Sequence, residues 1–475
     1  MRGKKEPKFS KSPTGISGLD EITDGGFPTG RSILICGSPG SGKTLFGAQF
    51  VVKGITEHNE NGVIMTFEET GKELASNVKS LGFDLEKLQA EKKLRVDYVR
   101  VERSEIEETG EYDLEALFIR LNHAIDSVNA KRVVLDTIEA LFSGIENTAL
   151  LRAEIRRLFS WLKEKGVTAI ITGERGENSL TRQGLEEYVS DCVILLDFRV
   201  INQIATRRLR IVKYRGSTHG TNEYPFLIDE HGISVFPITS LKLDHKASEK
   251  IISTGIAALD SMYSKNGIYA GSSILITGTA GTAKTTIAAC FAAAACKRKE
   301  NVLFFSFEES PDQLIRNMAG IGLNLKPFVK AGLLTVHASR PTLHGLEMHL
   351  LTILRLIEEL KPTTVIIDPI SSLITIGNDL EVRAMLIRML DAMKQKQITS
   401  MFTSLTHLHS IDSDNVVNAV SSLADSWIDV SNDSLHDSRL RHMLIVKVRG
   451  MGHTPNRQEF TITDKGIVFK KIPVK

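Results

Sequence analysis

Two successive α/β domains, each a mostly parallel sheet flanked by helices, are what this sequence predicts. Three observations carry the expectation. The chain repeats itself once; short apolar runs alternate in each copy with apolar residues at helical spacing; and each copy places a glycine-rich loop between such a run and a helix. Short runs apolar on both faces read as parallel strands, and their alternation with helices gives a layered sheet.

The repeat sets the organisation. TGISGLDEITDGGFPTGRSILICGSPGSGKT returns as TGIAALDSMYSKNGIYAGSSILITGTAGTAKT, so Gly15 corresponds to Gly255 and Lys43 to Lys284. GVIMTFEET returns as NVLFFSFEES, RVVLDTIEAL as TVIIDPISSL, and IVKYRGSTH as IVKVRGMGH, in the same order. The polar stretch Lys242 to Lys250 suits a linker, dividing the chain into residues 1–244 and 245–475. SILIC, GVIMTF, RVVLD, TAIITG and CVILL are the expected strands of the first copy, and Leu151 to Lys165 a helix. RRLRIVKYRG and RHMLIVKVRG are expected as later strands ending in a basic pair.

Composition narrows the class. With 42% hydrophobic and 24% charged residues the chain reads as soluble and globular. Its 59 basic and 57 acidic residues leave a formal charge of +2, so no global field recommends nucleic acid or membrane as a partner. Cys36, Cys192, Cys290 and Cys296 lie in apolar runs without paired zinc-site spacing, which suits core packing in a reducing compartment. No apolar stretch follows the basic start MRGKKEPKFS, and the most apolar block, Ala288 to Cys296, is far shorter than the roughly 20 residues of a spanning helix. A cytoplasmic location is expected.

The first loop, Gly37, Ser38, Pro39, Gly40, Ser41, Gly42, Lys43 and Thr44, follows a strand and opens a helix, the context a P-loop requires. Its backbone amides and the helix N-terminus favour phosphate, Lys43 should reach the β- and γ-phosphates of ATP, and Thr44 should hold Mg²⁺. The second loop, Gly278, Thr279, Ala280, Gly281, Thr282, Ala283, Lys284 and Thr285, keeps the lysine and threonine but has alanine where glycine usually precedes the lysine. If Ala283 needs positive φ, about 1–2 kcal/mol of strain follows; the expected site is competent but altered. Asp136 and Asp368 end apolar runs and can orient the Mg²⁺ shell. Glu68–Glu69 and Glu308–Glu309 also end strands, where a carboxylate can take a proton from the group attacking γ-phosphate; Glu308 is a candidate metal ligand as well. The pairs Lys213/Arg215 and Lys447/Arg449 are too far along the chain to assign to their own loops. On spacing alone they are solvated strand ends or residues acting on a neighbouring subunit's γ-phosphate, and their duplication favours the latter.

In combination these motifs, with TRQGLEEYVSD, resemble the KaiC family of cyanobacterial clock ATPases and autokinases and its wider bacterial and archaeal relatives, over nearly the whole chain. The resemblance implies tandem RecA-like lobes in a homohexameric double ring, an N-terminal ATPase and a C-terminal Ser/Thr autokinase and autophosphatase. It implies that Glu68 and Glu308 are the catalytic glutamates, that the K-x-R pairs act in trans, and that Arg207, Arg441, His219 and His453 lie near nucleotide. It puts the phosphorylated hydroxyls on Ser421 and Ser422, which spacing alone would read as turn serines. A third family hydroxyl falls on Val416. The stop at Lys475, soon after FTITDKG, argues against regulation by KaiA, which docks on a longer tail, and leaves a KaiB-like partner open. The leading expectation is a KaiC-like ATPase and autokinase in circadian or stress timing. The alternatives are a RecA- or DnaB-like nucleic-acid-dependent motor, which should carry longer basic loops, and a nucleotide-controlled signalling scaffold.

Overall fold

The computed structural model describes residues 10–100, 115–142, 147–176, 180, 181, 184, 190–201, 204–236, 247–377, 379–406, 421–435 and 438–470. The chain divides into two compact units, Met1–Ser240 and Leu241–Lys475. The expected join at 244/245, Val416 and most of TRQGLEEYVSD lie outside the described residues.

Each unit is built on a nine-stranded sheet. In the N-terminal lobe the strands are β1 (Ser32–Gly37), β2 (Gly62–Thr66), β3 (Leu94–Tyr98), β4 (Arg132–Asp136), β5 (Thr168–Glu174), β6 (Cys192–Ile201), β7 (Ile204–Tyr214), β8 (Glu223–Asp229) and β9 (Gly232–Val235). In the C-terminal lobe they are β10 (Ser273–Gly278), β11 (Val302–Ser306), β12 (Leu334–Ala338), β13 (Thr364–Asp368), β14 (Thr399–Leu405), β15 (Ser426–Leu435), β16 (Ser438–Val448), β17 (Gln458–Thr463) and β18 (Gly466–Phe469). The spatial order is β3-β2-β4-β5-β1-β6-β7-β8-β9 in one lobe and β12-β11-β13-β14-β10-β15-β16-β17-β18 in the other, the same path strand for strand. Pairing is parallel from β3 to β6 and antiparallel from β6 to β9. The second sheet repeats this.

The apolar strands form because both their faces are covered. Along β1, Ile33 and Ile35 meet Phe46 and Phe50 of the helix Lys43–His58, whereas Leu34 and Cys36 enter a second core with Phe118, Ile155 and Leu158. Strand alternation sorts them. The helix expected over Leu151 to Lys165 runs Thr148–Glu164, started by Asn147, whose Oδ1 accepts from Ala149 N at 2.9 Å. The edge strands β3 and β12 and the terminal hairpins were not singled out by sequence, since a half-exposed strand lacks a continuous apolar run.

Arg132, the first residue of β4, turns into the core. It is fully buried, donating from Nε to Glu60 at 2.6 Å and to the carbonyls of Phe50 and Pro13 at 2.8 Å each, with its guanidinium over the Phe50 ring. Three satisfied donors and a stacked aromatic face make that burial tolerable. Among the described residues no helix is long and apolar enough to cross a membrane.

Candidate nucleotide sites and a serine-bearing edge

Both glycine-rich loops leave the carboxyl end of the central strand, β1 or β10, and enter a helix, Lys43–His58 or Lys284–Lys297. Lys43 Nζ donates to Gly37 O at 2.9 Å and Ser38 O at 3.2 Å; Lys284 Nζ donates to Gly278 O and Thr279 O at 2.8 Å each. Both lysines are buried. Burial pushes Lys284 down to about 8, against the opposing pull of Asp368, Glu308 and Asp429. A buried ammonium, helix amides and Ser41 Oγ, buried in the loop without a hydrogen-bond partner, form a cradle that fits an anion. Gly40 and Gly281 have φ of 74° and 76° with open space where a side chain would stand, so phosphate has room.

Asp136 accepts from Thr172 and Thr44, and Asp368 from Thr403 and Thr285. Burial pushes both carboxyls up, and these hydroxyls partly offset it. Each hydroxyl–carboxylate pair supplies the hard oxygen donors that Mg²⁺ takes. Glu68 accepts from Thr137 Oγ1 at 2.9 Å and Glu308 from Ser372 Oγ at 3.1 Å; both are exposed at the strand ends. Their neighbours turn away. Glu69 accepts from Asn77 at 2.9 Å and Glu309 from Asn317 at 3.0 Å, each on the next helix. Capping boxes, Thr70 with Glu73 and Ser310 with Gln313, fix those helix starts and so the turns that separate the two acids. Half-burial raises the Glu69 pKa, against the Asn77 bond.

Ala283 does adopt the strained conformation: φ is 82°, against 102° for Gly42. The lobes also differ beneath the loop. Trp427 Nε1 donates to Thr277 Oγ1 at 2.9 Å, which donates to Asp429 at 2.8 Å. By strand register the corresponding N-terminal residues are the apolar Val193, Cys36 and Leu195. Sequence reasoning passed over Asp429, although a carboxylate within the apolar run Trp427–Val430 is a visible signal.

The K-x-R pairs lie at the other end of the strands. Lys213 is level with Val193 and Leu34, and Lys447 with Trp427 and Leu275, three register steps or roughly 10 Å from the loop. Arg215 N bonds Asp191 O, and Arg449 N bonds Asp425 O, at the amino edge. Ser421 and Ser422 sit at this edge too. Ser421 is buried and Ser422 exposed. Lys447 Nζ donates to Ser421 O at 2.8 Å and Ser422 O at 3.3 Å, and Arg449 to Ser422 O. Since Asp425 N bonds Ser273 O, the serines lie beside the start of β10, a strand length of roughly 17 Å from their own P-loop.

Arg441 reaches its own P-loop, donating to Gly281 O at 3.2 Å, whereas Arg207 stacks over Phe198 at 4.7 Å. His219 and His453 lie at the amino edge, each ring Nδ1 against the next residue's carbonyl. The segment after His219 bonds Ile22, and His453 bridges Tyr263, so neither histidine meets its own loop.

Comparison with known proteins identifies the family. The family described as "ATPase: KaiC" matches twice, over residues 12–240 and 252–473. The circadian clock protein KaiC2 of Synechocystis sp. is 54% identical over 458 residues, covering 96% of this chain and 81% of the relative. KaiC3 of the same organism is 37% identical over 98% of the chain and 92% of its own length. The circadian clock oscillator protein KaiC of Synechococcus elongatus is 36% identical over 96% and 88%.

Proposed function

The chain belongs to the KaiC family of ATPases, and from that premise we propose that it binds ATP in both lobes, hydrolyses it in the N-terminal lobe, and in the C-terminal lobe transfers γ-phosphate to Ser421 and Ser422 of a neighbouring copy. The observation that carries the transfer is the separation of roughly 17 Å between the serines and the P-loop of their own lobe. A hydroxyl at one edge of a sheet cannot attack a phosphate bound at the other, so donor and acceptor belong to different chains. Successive copies in a closed ring, a homohexamer as in our reading of the family, satisfy that requirement.

On this reading Lys284 and the loop amides hold the phosphates, and Thr285 with Asp368 holds Mg²⁺. The metal supplies charge neutralisation at the phosphates. Glu308 takes the serine proton as the new O–P bond forms and the bond from Pγ to the bridging oxygen breaks, releasing ADP. In the N-terminal lobe Glu68 does the same for water, and the products are ADP and inorganic phosphate. Glu69 and Glu309 accept from asparagines of the following helix rather than take the proton. Lys213, Arg215, Lys447 and Arg449, with His219 and His453, face the neighbouring copy's nucleotide. Return of the phosphate would be the autophosphatase step, and a role in biological timing follows the named relatives.

Peptide mass spectrometry after incubation with Mg²⁺ and ATP tests the proposal. Wild type should carry phosphate on Ser421 or Ser422, Glu308→Gln should lose it, and Ser421→Ala should confine it to Ser422. Unmodified serines alongside intact ATP turnover would reduce the protein to an ATPase. Mixing Glu308→Gln chains with chains lacking both serines should restore transfer onto the former.

A further inference from the structure

Deepening the phosphoryl-transfer reading on which it rests, we infer that Lys394 is a positioning residue for the acceptor segment Ser421–Leu423. It holds that segment from the far end of the helix Asp379–Gln395.

Ser421–Leu423 ends a helical segment, and no helical turn follows Leu423. Its carbonyls therefore lack the amides that a longer helix would supply, and basic side chains are their natural partners. All three carbonyls have one. Lys447 takes Ser421 O, Arg449 and Lys447 take Ser422 O, and Lys394 Nζ donates to Leu423 O at 3.3 Å. Lys394 also pairs with Asp425 Oδ1 at 3.2 Å, the two side chains being 18% and 24% exposed. The other carboxylate oxygen of Asp425 accepts from Ser273 N and Ser273 Oγ at 2.9 Å each. Lys394 thus ties the acceptor turn to the first residue of β10. Half-buried, charge-assisted bonds of this kind restrict a short segment more than surface ion pairs do.

The N-terminal lobe arranges the matching aspartate differently. Asp191 N bonds Ser32 O, as Asp425 N bonds Ser273 O, but the Asp191 carboxylate is held by Arg31 at 3.1 Å, from the residue just before β1. In the C-terminal lobe the residue before β10 is Ser272, and the cation has moved to a helix. That helix follows the turn Ile370–Thr375, in which Ser372 holds Glu308. Its 17 residues span roughly 25 Å, between the turn that orients the proton acceptor and the turn that presents the serines. The lobe with acceptor hydroxyls is the one whose clamp comes from this helix.

The test compares full-length wild type, Lys394→Met, which keeps the aliphatic stem, and Lys394→Arg, which keeps the charge. Two readouts are taken: the rate of phosphate appearance on Ser421 and Ser422, and amide hydrogen exchange of peptides spanning Ser421 to Ser426. The methionine variant should slow phosphorylation about tenfold and speed exchange in that segment, with the KM for ATP unchanged and kcat for transfer carrying the loss. Arginine should restore both readouts. Unchanged exchange in Lys394→Met overturns the inference whatever happens to the phosphate, as does a failure of arginine to restore it. If wild type carries no phosphoserine, faster exchange still supports the anchoring role, and only the transfer proposal falls.

Discussion

The two lobes follow one strand path and share no more than part of their chemistry. What is common lies along the central strands: a lysine on two loop carbonyls, a threonine bonded to a strand-end aspartate, and a glutamate held by a hydroxyl. What differs lies around them. The N-terminal lobe buries Arg132, where the C-terminal lobe has Thr364. The C-terminal lobe places Asp429 below its P-loop and bends an alanine into a glycine conformation. Duplication therefore preserved the phosphate-loop lysine and the strand-end acids and let the surrounding shell diverge, the kind of change by which one fold can host different chemistry.

That contrast should be easiest to break at the glutamates. Glu68→Gln should lower phosphate release by about 10²–10⁴-fold while leaving serine modification, and Glu308→Gln should do the reverse, as steady-state turnover and phosphopeptide yields would register. Equal loss of both activities from either change would mean that the lobes do not divide the work. Next in size is Arg132→Ala. It leaves Glu60 and two buried carbonyls without their donor and should cost the N-terminal lobe about 3 kcal/mol, with C-terminal unfolding unaffected in a urea titration.

The P-loop alanine sharpens the comparison from both sides. Ala283→Gly removes left-handed strain and should stabilise the C-terminal lobe by about 1 kcal/mol. Gly42→Ala should destabilise its own lobe by more than that gain. The added methyl meets not only positive φ but Ile228 Cδ1 at 2.9 Å. Calorimetric unfolding separates this folding strain from any change in nucleotide affinity, measured by titration.

The smallest effect depends on pH. In the C-terminal lobe burial lowers His349 and His337 below the ordinary 6.5. His349 is fully buried, with Nε2 against Pro341 O at 2.8 Å, Phe307 at its edge, and His344 and His337 as the titratable neighbours acting on it. Neutral in the fold, these rings bind protons less readily than in the unfolded chain. Stability is thus held above pH 6.5 and falls as pH drops below it. His349→Gln should flatten that loss in C-terminal unfolding curves recorded from pH 7.5 to 5.5.

Much of the fold was legible because its signals are local. Gly40, Gly42, Lys43 and Thr44 declare a phosphate loop within one short run, and Asp136 closes an unbroken apolar strand. The duplication then did for the whole what no single motif does. Contacts between distant segments were not legible. Nothing in RVVLD announces that its arginine turns inward to Pro13, and nothing near Lys394 announces a carbonyl at Leu423. The acid pairs show the same limit at close range. Two adjacent glutamates look equivalent in sequence, yet the turn before a capped helix points one at the site and the other at an asparagine.

The opposite placement of P-loop and K-x-R pair on each sheet has a consequence for how such a protein must be handled. If the basic pair serves a neighbour, a solitary molecule holds two unfinished halves, and catalytic output per molecule becomes a function of crowding. Serial dilution below the dissociation constant of the assembly should then silence turnover without unfolding anything, and restoring concentration should bring it back.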